Sequence, residues 1–274
     1  MRVLLGHHGL RGDICLNLPA IRYLHDQFGW EIDLPINRRF ADMAPLFFNQ
    51  SYVNSVVITD GYDDFPTKRD EETLQGRGYD RIFHPMQAHL VDKWYETMHQ
   101  TEVVLADYMA LRLPAEYKQI RLDKWFEVGK EDRVVAMAPF AGYDSNPDNN
   151  KRLSVERAQE IVAHVKKRGF EVFQLGGPTE PRLDGVQLKY GSYFDSMRSM
   201  LGCKALIHTD TGAAWVASAY QLPQLGLYGH RYYGKEHVSN IQPVNPNAVY
   251  LDAPTVAEIP FDQIASAIDK MILA

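Results

Sequence analysis

Residues 204–229 read KALIHTDTGAAWVASAYQLPQLGLYG. The apolar run Ala205-Leu206-Ile207 reads as a buried strand. It leads into Thr209-Asp210-Thr211-Gly212, which brings hydroxyls, a carboxylate and a glycine together. The small residues Ala213, Ala214, Ala217 and Ala219 let a helix lie close on a sheet, and Pro223 to Tyr228 is a second apolar run. Strand, turn, helix, strand is the repeating unit of a parallel sheet with helices on its faces. Unpaired backbone N–H groups at a helix start receive phosphate well, and Thr209, Thr211 and Gly212 suit that role. Asp210 would compete with a bound anion, so it either accepts backbone N–H groups and holds the turn, or binds a sugar hydroxyl. A capped helix with no ligand is the plainer reading of the same residues.

The pattern extends in both directions. Upstream, Arg133 to Pro139 is an apolar strand, and Ser154 can cap a helix whose apolar face is Val155, Ala158, Ile161, Val162 and Val165. Glu171 to Leu175 is a strand that enters Gly176-Gly177-Pro178. A helix is predicted over Asp195 to Leu201, and a last amphipathic helix over Phe261 to Leu273. An earlier series begins with the strand Arg2 to Leu5. Next comes a helix with Ile14, Leu18, Ile21, Leu24 and Phe28 at helical spacing, in which Pro19 marks a late start or a kink. Strands at 30–34, 56–58 and 81–83 follow, with helices around Phe40 to Phe47 and Glu102 to Leu111. Residues 60–79 are polar and aperiodic and read as a surface loop.

The chain therefore reads as α/β, two Rossmann-like doubly wound parallel-sheet domains over residues 1–130 and 131–274, facing a central cleft. The last helix is free to pack back on the first domain. Open parallel sheets bind ligands outside the carboxyl ends of their strands. That directs attention to the loops 6–13, 139–152, 176–180 and 209–213.

In GHHGLRGD, Gly6, Gly9 and Gly12 permit close approach to a ligand, and Asp13 opens a helix. Asp13 either complements the helix dipole or acts as a general base. His8, Gly9, Arg11 and Gly12 are candidates to line the cleft, as is Tyr143 in the loop PFAGYDSNPDNNKR. Lys151, with Arg152 beside it, either belongs to a solvated loop or meets a phosphate or pyrophosphate, where a cation stabilises a departing diphosphate. Gly176 and Gly177 either form a simple turn or let the backbone approach a ring or sugar.

The formal net charge of −6 counts against a protein that mainly holds nucleic-acid backbone. Cys15 and Cys203 read as buried free thiols. The chain shows no G-x-G-x-x-G, no P-loop, no G-x-S-x-G and no Asp-x-Asp pair. No metal and no cofactor are therefore expected, and side-chain cations with helix N-termini must neutralise any bound diphosphate. With no signal pattern and no apolar stretch of spanning length, the expected setting is cytoplasmic.

Three segments together resemble the heptosyltransferase-like glycosyltransferases of family 9. These are GLRGDICLNLPAIRYLHDQFGWEIDL with its Gly12-Asp13 and Leu18-Pro19-Ala20, APFAGYDSNPDNNKRLSVERAQEIVAHVKKRGFEVFQLGGPTE, and LIHTDTGAAWVASAYQLPQLGLYG. The resemblance implies a GT-B architecture and metal-independent, inverting transfer from a nucleotide-diphosphate sugar to an acceptor hydroxyl on a glycan, a lipid-linked glycan or another compound. It implies that the N-terminal domain takes the acceptor and the C-terminal domain the donor. Asp13 would be the base, Lys151 the phosphate-binding lysine, and Thr211 and Gly212 the phosphate-binding helix start. Asp210 would lie beside the donor, and Gly176 and Gly177 near the nucleotide. Two rival readings stand beside it. One is transfer to hydroxymethylated nucleic acid bases, for which Arg38, Arg39, Lys93 and Trp94 are the hints. The other is a non-catalytic nucleotide-sugar-binding protein of the same fold, suggested by the first loop and by Trp215.

Overall fold

The computed structural model describes residues 1–5, 11–59, 78–83, 113–140, 151–177, 179–188, 191–231 and 234–273. The chain divides into two compact units, Met1–Trp125 and Phe126–Ala274. Both have the α/β parallel-sheet architecture expected from the alternation of apolar strands and amphipathic helices.

The first unit contains β1 (Arg2–Leu5), α1 (Arg11–Leu16), α2 (Leu18–Phe28), β2 (Glu31–Asn37), β3 (Ser55–Thr59), β4 (Arg81–Phe83) and the short α3 (Ala115–Lys118). Its strands run parallel in the order β3-β2-β1-β4. Pro19 sits in the first turn of α2, where its missing N–H costs nothing, and it separates α2 from α1. Gly29 closes α2 in the left-handed conformation at φ 62°. The helix expected around Phe40 is a 3-10 helix, Arg38–Phe47, with Pro45 inside it. The helix expected at Glu102 to Leu111 and residues 60–77 of the expected loop lie outside the described residues.

At the amino edge of this sheet Asp33 is fully buried. It accepts hydrogen bonds from Arg2 Nη2 (2.9 Å), Asn54 Nδ2 (2.7 Å) and the Tyr79 hydroxyl (2.8 Å). Burial alone would push its carboxyl up, but the donors from Asn54, Ser55, Tyr79 and Arg2 outweigh burial and hold it below the ordinary carboxylate range. One side chain thus ties β1, β2, the start of β3 and the residues before β4.

The second unit contains β5 (Glu131–Ala138), α4 (Val155–Lys167), β6 (Glu171–Gln174), β7 (Gln187–Leu188), α5 (Tyr193–Met200), β8 (Cys203–His208), α6 (Gly212–Ala219), β9 (Gln224–Gly229), α7 (Gly234–Ile241), β10 (Ala248–Ala253) and α8 (Phe261–Ile272). All strands are parallel, in the order β10-β9-β8-β5-β6-β7. Alternate residues of the central strands, Val135, Met137, Ala205, Ile207, Leu225 and Leu227, join α4 and α8 in one buried core. The opposite face carries α5 and α6. The last helix, α8, lies on α4 and the sheet of this unit, where His164 and Arg168 both reach Asp269. β7, α7 and β10 had not been anticipated. Ser154 caps α4 as expected, accepting the Arg157 N–H at 3.1 Å, and Cys15 and Cys203 are buried thiols outside any disulfide among the described residues. No described helix is long and apolar enough to cross a membrane.

Replacing Asp33 with Ala leaves Asn54 and Tyr79 without their acceptor and is expected to destabilise the first unit by roughly 2–3 kcal/mol, read by urea unfolding. Because the folded-state value lies below the unfolded one, the Asp33 contribution is complete above about pH 4 and is lost as pH falls further. The variant should lack this acid-dependent part.

Candidate functional site

In the second sheet the chain builds β5, β6 and β7 to one side, then returns to place β8, β9 and β10 on the other side of β5. The direction reverses between β5 and β8. In open α/β sheets that reversal leaves a crevice outside the carboxyl ends of the two strands. The residues leaving these strands are those that stood out in the sequence.

After β5 the chain returns to the strand end, where the Leu153 N–H donates to the Pro139 carbonyl at 3.1 Å. This brings back Lys151, whose Nζ donates to Asp210 Oδ2 at 2.7 Å. Lys151 and Asp210 keep 30% and 22% of their side-chain surface, so the pair is reachable from solvent. Asp210 leaves β8. The Thr209 N–H before it continues the ladder onto the Ala138 carbonyl (3.1 Å), and the Thr209 side chain is fully buried. Asp210, Thr211 and Gly212 are the partly exposed residues of the turn. Thr211 caps α6, its hydroxyl accepting the Ala213 N–H at 3.4 Å. The cap is therefore the hydroxyl, which leaves the Asp210 carboxylate for the ammonium.

At the end of β6, Gly176 and Gly177 hold the turn. A Cβ on Gly176 would stand 2.4 Å from a carboxylate oxygen of Glu180, so the glycine lets the end of that side chain lie against the turn, and a larger residue would make it swing aside. Glu180 went unnoticed in the sequence because nothing in LGGPTE distinguishes it from a solvated glutamate. It sets a hydrogen-bond acceptor at the same strand edge as the cation.

Beneath the Asp210 turn lies a buried polar row. His208, Gly226 and Tyr250 stand in register on β8, β9 and β10. A Cβ on Gly226 would meet the rings of Tyr250 (2.6 Å), Tyr228 (2.7 Å) and His208 (2.9 Å). The absent side chain is what makes room for the three rings. His208 and Tyr228 meet edge to face at 6.1 Å. Gln224 Nε2 donates to Ser218 Oγ of α6 (2.6 Å) and to the Tyr250 hydroxyl (3.0 Å), and the Tyr250 hydroxyl donates to the Pro243 carbonyl. Burial pushes the His208 imidazole down to about 4, pushes Tyr228 well up, and pushes Tyr250 up to about 12.

In the first unit, Arg11 and Gly12 lie in α1, and Arg11 reaches both carboxylate oxygens of Asp42 at 2.8 and 3.1 Å while covering Phe40. Asp13 is in the same helix, and its side chain lies outside the described residues. His8, Gly9, Tyr143, Lys93 and Trp94 also lie outside them.

No protein-family profile matches the chain, and no curated protein matches it in sequence. Solved structures do match. The ADP-heptose lipopolysaccharide heptosyltransferase II of E. coli superposes with a TM-score of 0.72 at 15% identity, covering 100% of this chain and 99% of that one. The fold is that of the heptosyltransferases, GT-B. A glycosyltransferase of family 9 from Veillonella parvula DSM 2008 follows at 0.71 and 13% identity, covering 99% and 97%. The iron-containing dodecameric glycosyltransferase TibC of enterotoxigenic E. coli matches at 0.61 and 13%, covering 90% of this chain and 63% of that one. This heptosyltransferase-like fold is the architecture implied by the three sequence segments.

Two outcomes test the buried row. Gly226→Ala should lower stability by roughly 1–3 kcal/mol through overpacking, read as a drop in Tm. His208 is neutral in the fold, and a free histidine titrates near 6.5. As pH falls from about 6.5 toward about 4, only the unfolded chain gains this proton, so stability falls with a slope approaching roughly 1 kcal/mol per pH unit. His208→Asn should remove that slope.

Proposed function

We propose that the protein is a glycosyltransferase that moves a sugar from a nucleotide-diphosphate sugar to an acceptor hydroxyl, without a metal and with inversion. The observation that carries this reading is the Lys151–Asp210 pair at the strand reversal, beside the capped start of α6. One ammonium, a helix start with its dipole and a carboxylate are the parts needed to hold a diphosphate and a sugar next to each other. A diphosphate carries more negative charge than one carboxylate, so it can draw Lys151 from Asp210. That releases the carboxylate to accept sugar hydroxyls. Gly176, Gly177 and Glu180 lie on the nucleotide side in this reading. The second unit is the donor domain and the first the acceptor domain.

In the reaction, Asp13 takes the proton of the acceptor hydroxyl as its oxygen attacks the anomeric carbon. The bond from that carbon to the diphosphate oxygen breaks on the opposite face, and the nucleoside diphosphate leaves on Lys151 and the start of α6. Metal independence rests in this reading on the Lys151 ammonium and the start of α6, and TibC is an iron-containing protein of similar fold.

A panel of nucleotide sugars read by mass spectrometry should show transfer or slow hydrolysis of at least one. Asp13→Ala should then lower turnover about 10²–10⁴-fold with donor affinity little changed. Binding without turnover across the panel would instead favour a non-catalytic nucleotide-sugar-binding protein. Wild-type turnover in the variant removes Asp13 as base.

A further inference from the structure

The buried row under α6 has a residue that points at the site. His208 is the last residue of β8, is 1% exposed, and places Nδ1 2.7 Å from the carbonyl oxygen of Thr209. A carbonyl oxygen only accepts, so the proton of that contact sits on Nδ1. Burial holds the ring neutral, which leaves Nε2 without a proton. The Gln224 side chain approaches the ring but makes no well-formed hydrogen bond to Nε2 among the described residues. The Nδ1–H contact to Thr209 is the polar tie that joins the ring to the backbone of the turn.

That carbonyl belongs to the peptide bond joining Thr209 to Asp210. The peptide unit is planar, and no cis bond occurs among the described residues. Fixing the direction of the Thr209 carbonyl therefore fixes the direction of the Asp210 N–H, which points away from the imidazole. It also fixes the plane from which the Asp210 side chain departs toward Lys151. The imidazole is itself held against rotation, with Tyr228 on its edge and the Gly226 backbone beside it, and Gln224 locks that layer to α6 through Ser218 and to β10 through Tyr250.

We propose that His208 is a positioning residue for the donor site: its Nδ1–H sets the Thr209–Asp210 peptide plane, and so aims the Asp210 amide and carboxylate and the start of α6 at the diphosphate and sugar. The proposal rests on the glycosyltransferase reading for its purpose, and on the Thr209 contact for its geometry. A histidine chosen only to fill a core would serve as well if replaced by an apolar residue of like volume. One chosen to aim a peptide plane would be replaced only by a residue that keeps an N–H at the δ position.

The test compares wild type, His208→Leu and His208→Asn, the last retaining an amide N–H near the place of Nδ1. Two readouts are used, the backbone amide NMR signal of Asp210 in the ligand-free protein, and calorimetric titration with ADP. The Asp210 signal should move in His208→Leu and return close to its wild-type position in His208→Asn. ADP should bind about tenfold more weakly to His208→Leu and within about twofold of wild type to His208→Asn, whatever the two melting temperatures. An Asp210 signal that stays in place in His208→Leu, or is displaced equally in both variants, overturns the proposal. Equal ADP affinity across all three proteins does the same. Failure of wild type to bind ADP counts against an adenine-nucleotide donor, and the amide readout then decides the role of His208 by itself.

Discussion

The contact between Lys151 and Asp210 joins two parts of the chain that are 59 positions apart in sequence, and it exists only because β5 and β8 are neighbours. That neighbourhood follows from the order in which the strands are laid down. β5 to β7 extend one way, and the chain then returns to β5 and extends the other way. The pairing of Lys151 with Asp210 depends on this reversal. It brings the end of the β5 loop, held by Leu153 on Pro139, against the turn after β8, held by Thr209 on Ala138. A sheet of the same strands in simple sequential order would leave the ammonium and the carboxylate apart.

Around this contact the second unit divides its labour by depth. The face with α4 and α8 is mainly apolar and supplies the burial that stabilises the unit. The face under α6 is different. There Gln224, Ser218 and His208, with the half-buried Tyr250, replace apolar packing with a polar layer, and Gly226 gives up its side chain to admit the rings. Such a layer costs desolvation and is tolerable only when its members are tied. The layer lies directly below the Asp210 turn, where His208 meets the Thr209 carbonyl. The layer holds by direction, through hydrogen bonds, whereas the opposite face holds by area.

Much of this was legible in the sequence. Apolar runs ending in glycine or hydroxyl residues placed the central strands, and Ser154, Gly29 and Thr211 marked helix ends through local chemistry. Lys151 and Asp210 were both singled out, each from its own loop. Their pairing was not, since it depends on strand order and not on spacing. β10 was missed because its residues, AVYLDA, are only half buried at a sheet edge, and β7 because two residues carry no period. The 3-10 helix at Arg38–Phe47 shares its apolar spacing with an α-helix and differs through Pro45. His208 reads in sequence as one more polar residue at a strand end. Only the register of three strands, with glycine in the middle, shows what it touches.

The central claim is that a diphosphate binds at the strand reversal and is held there by Lys151. The most direct measurement is calorimetric titration of ADP and of AMP into wild type and into Lys151→Met. If the account is right, wild type prefers ADP over AMP by about tenfold or more, and the preference disappears in the variant because the ammonium that meets the second phosphate is gone. An undiminished preference for ADP in Lys151→Met would place the diphosphate elsewhere and contradict the account.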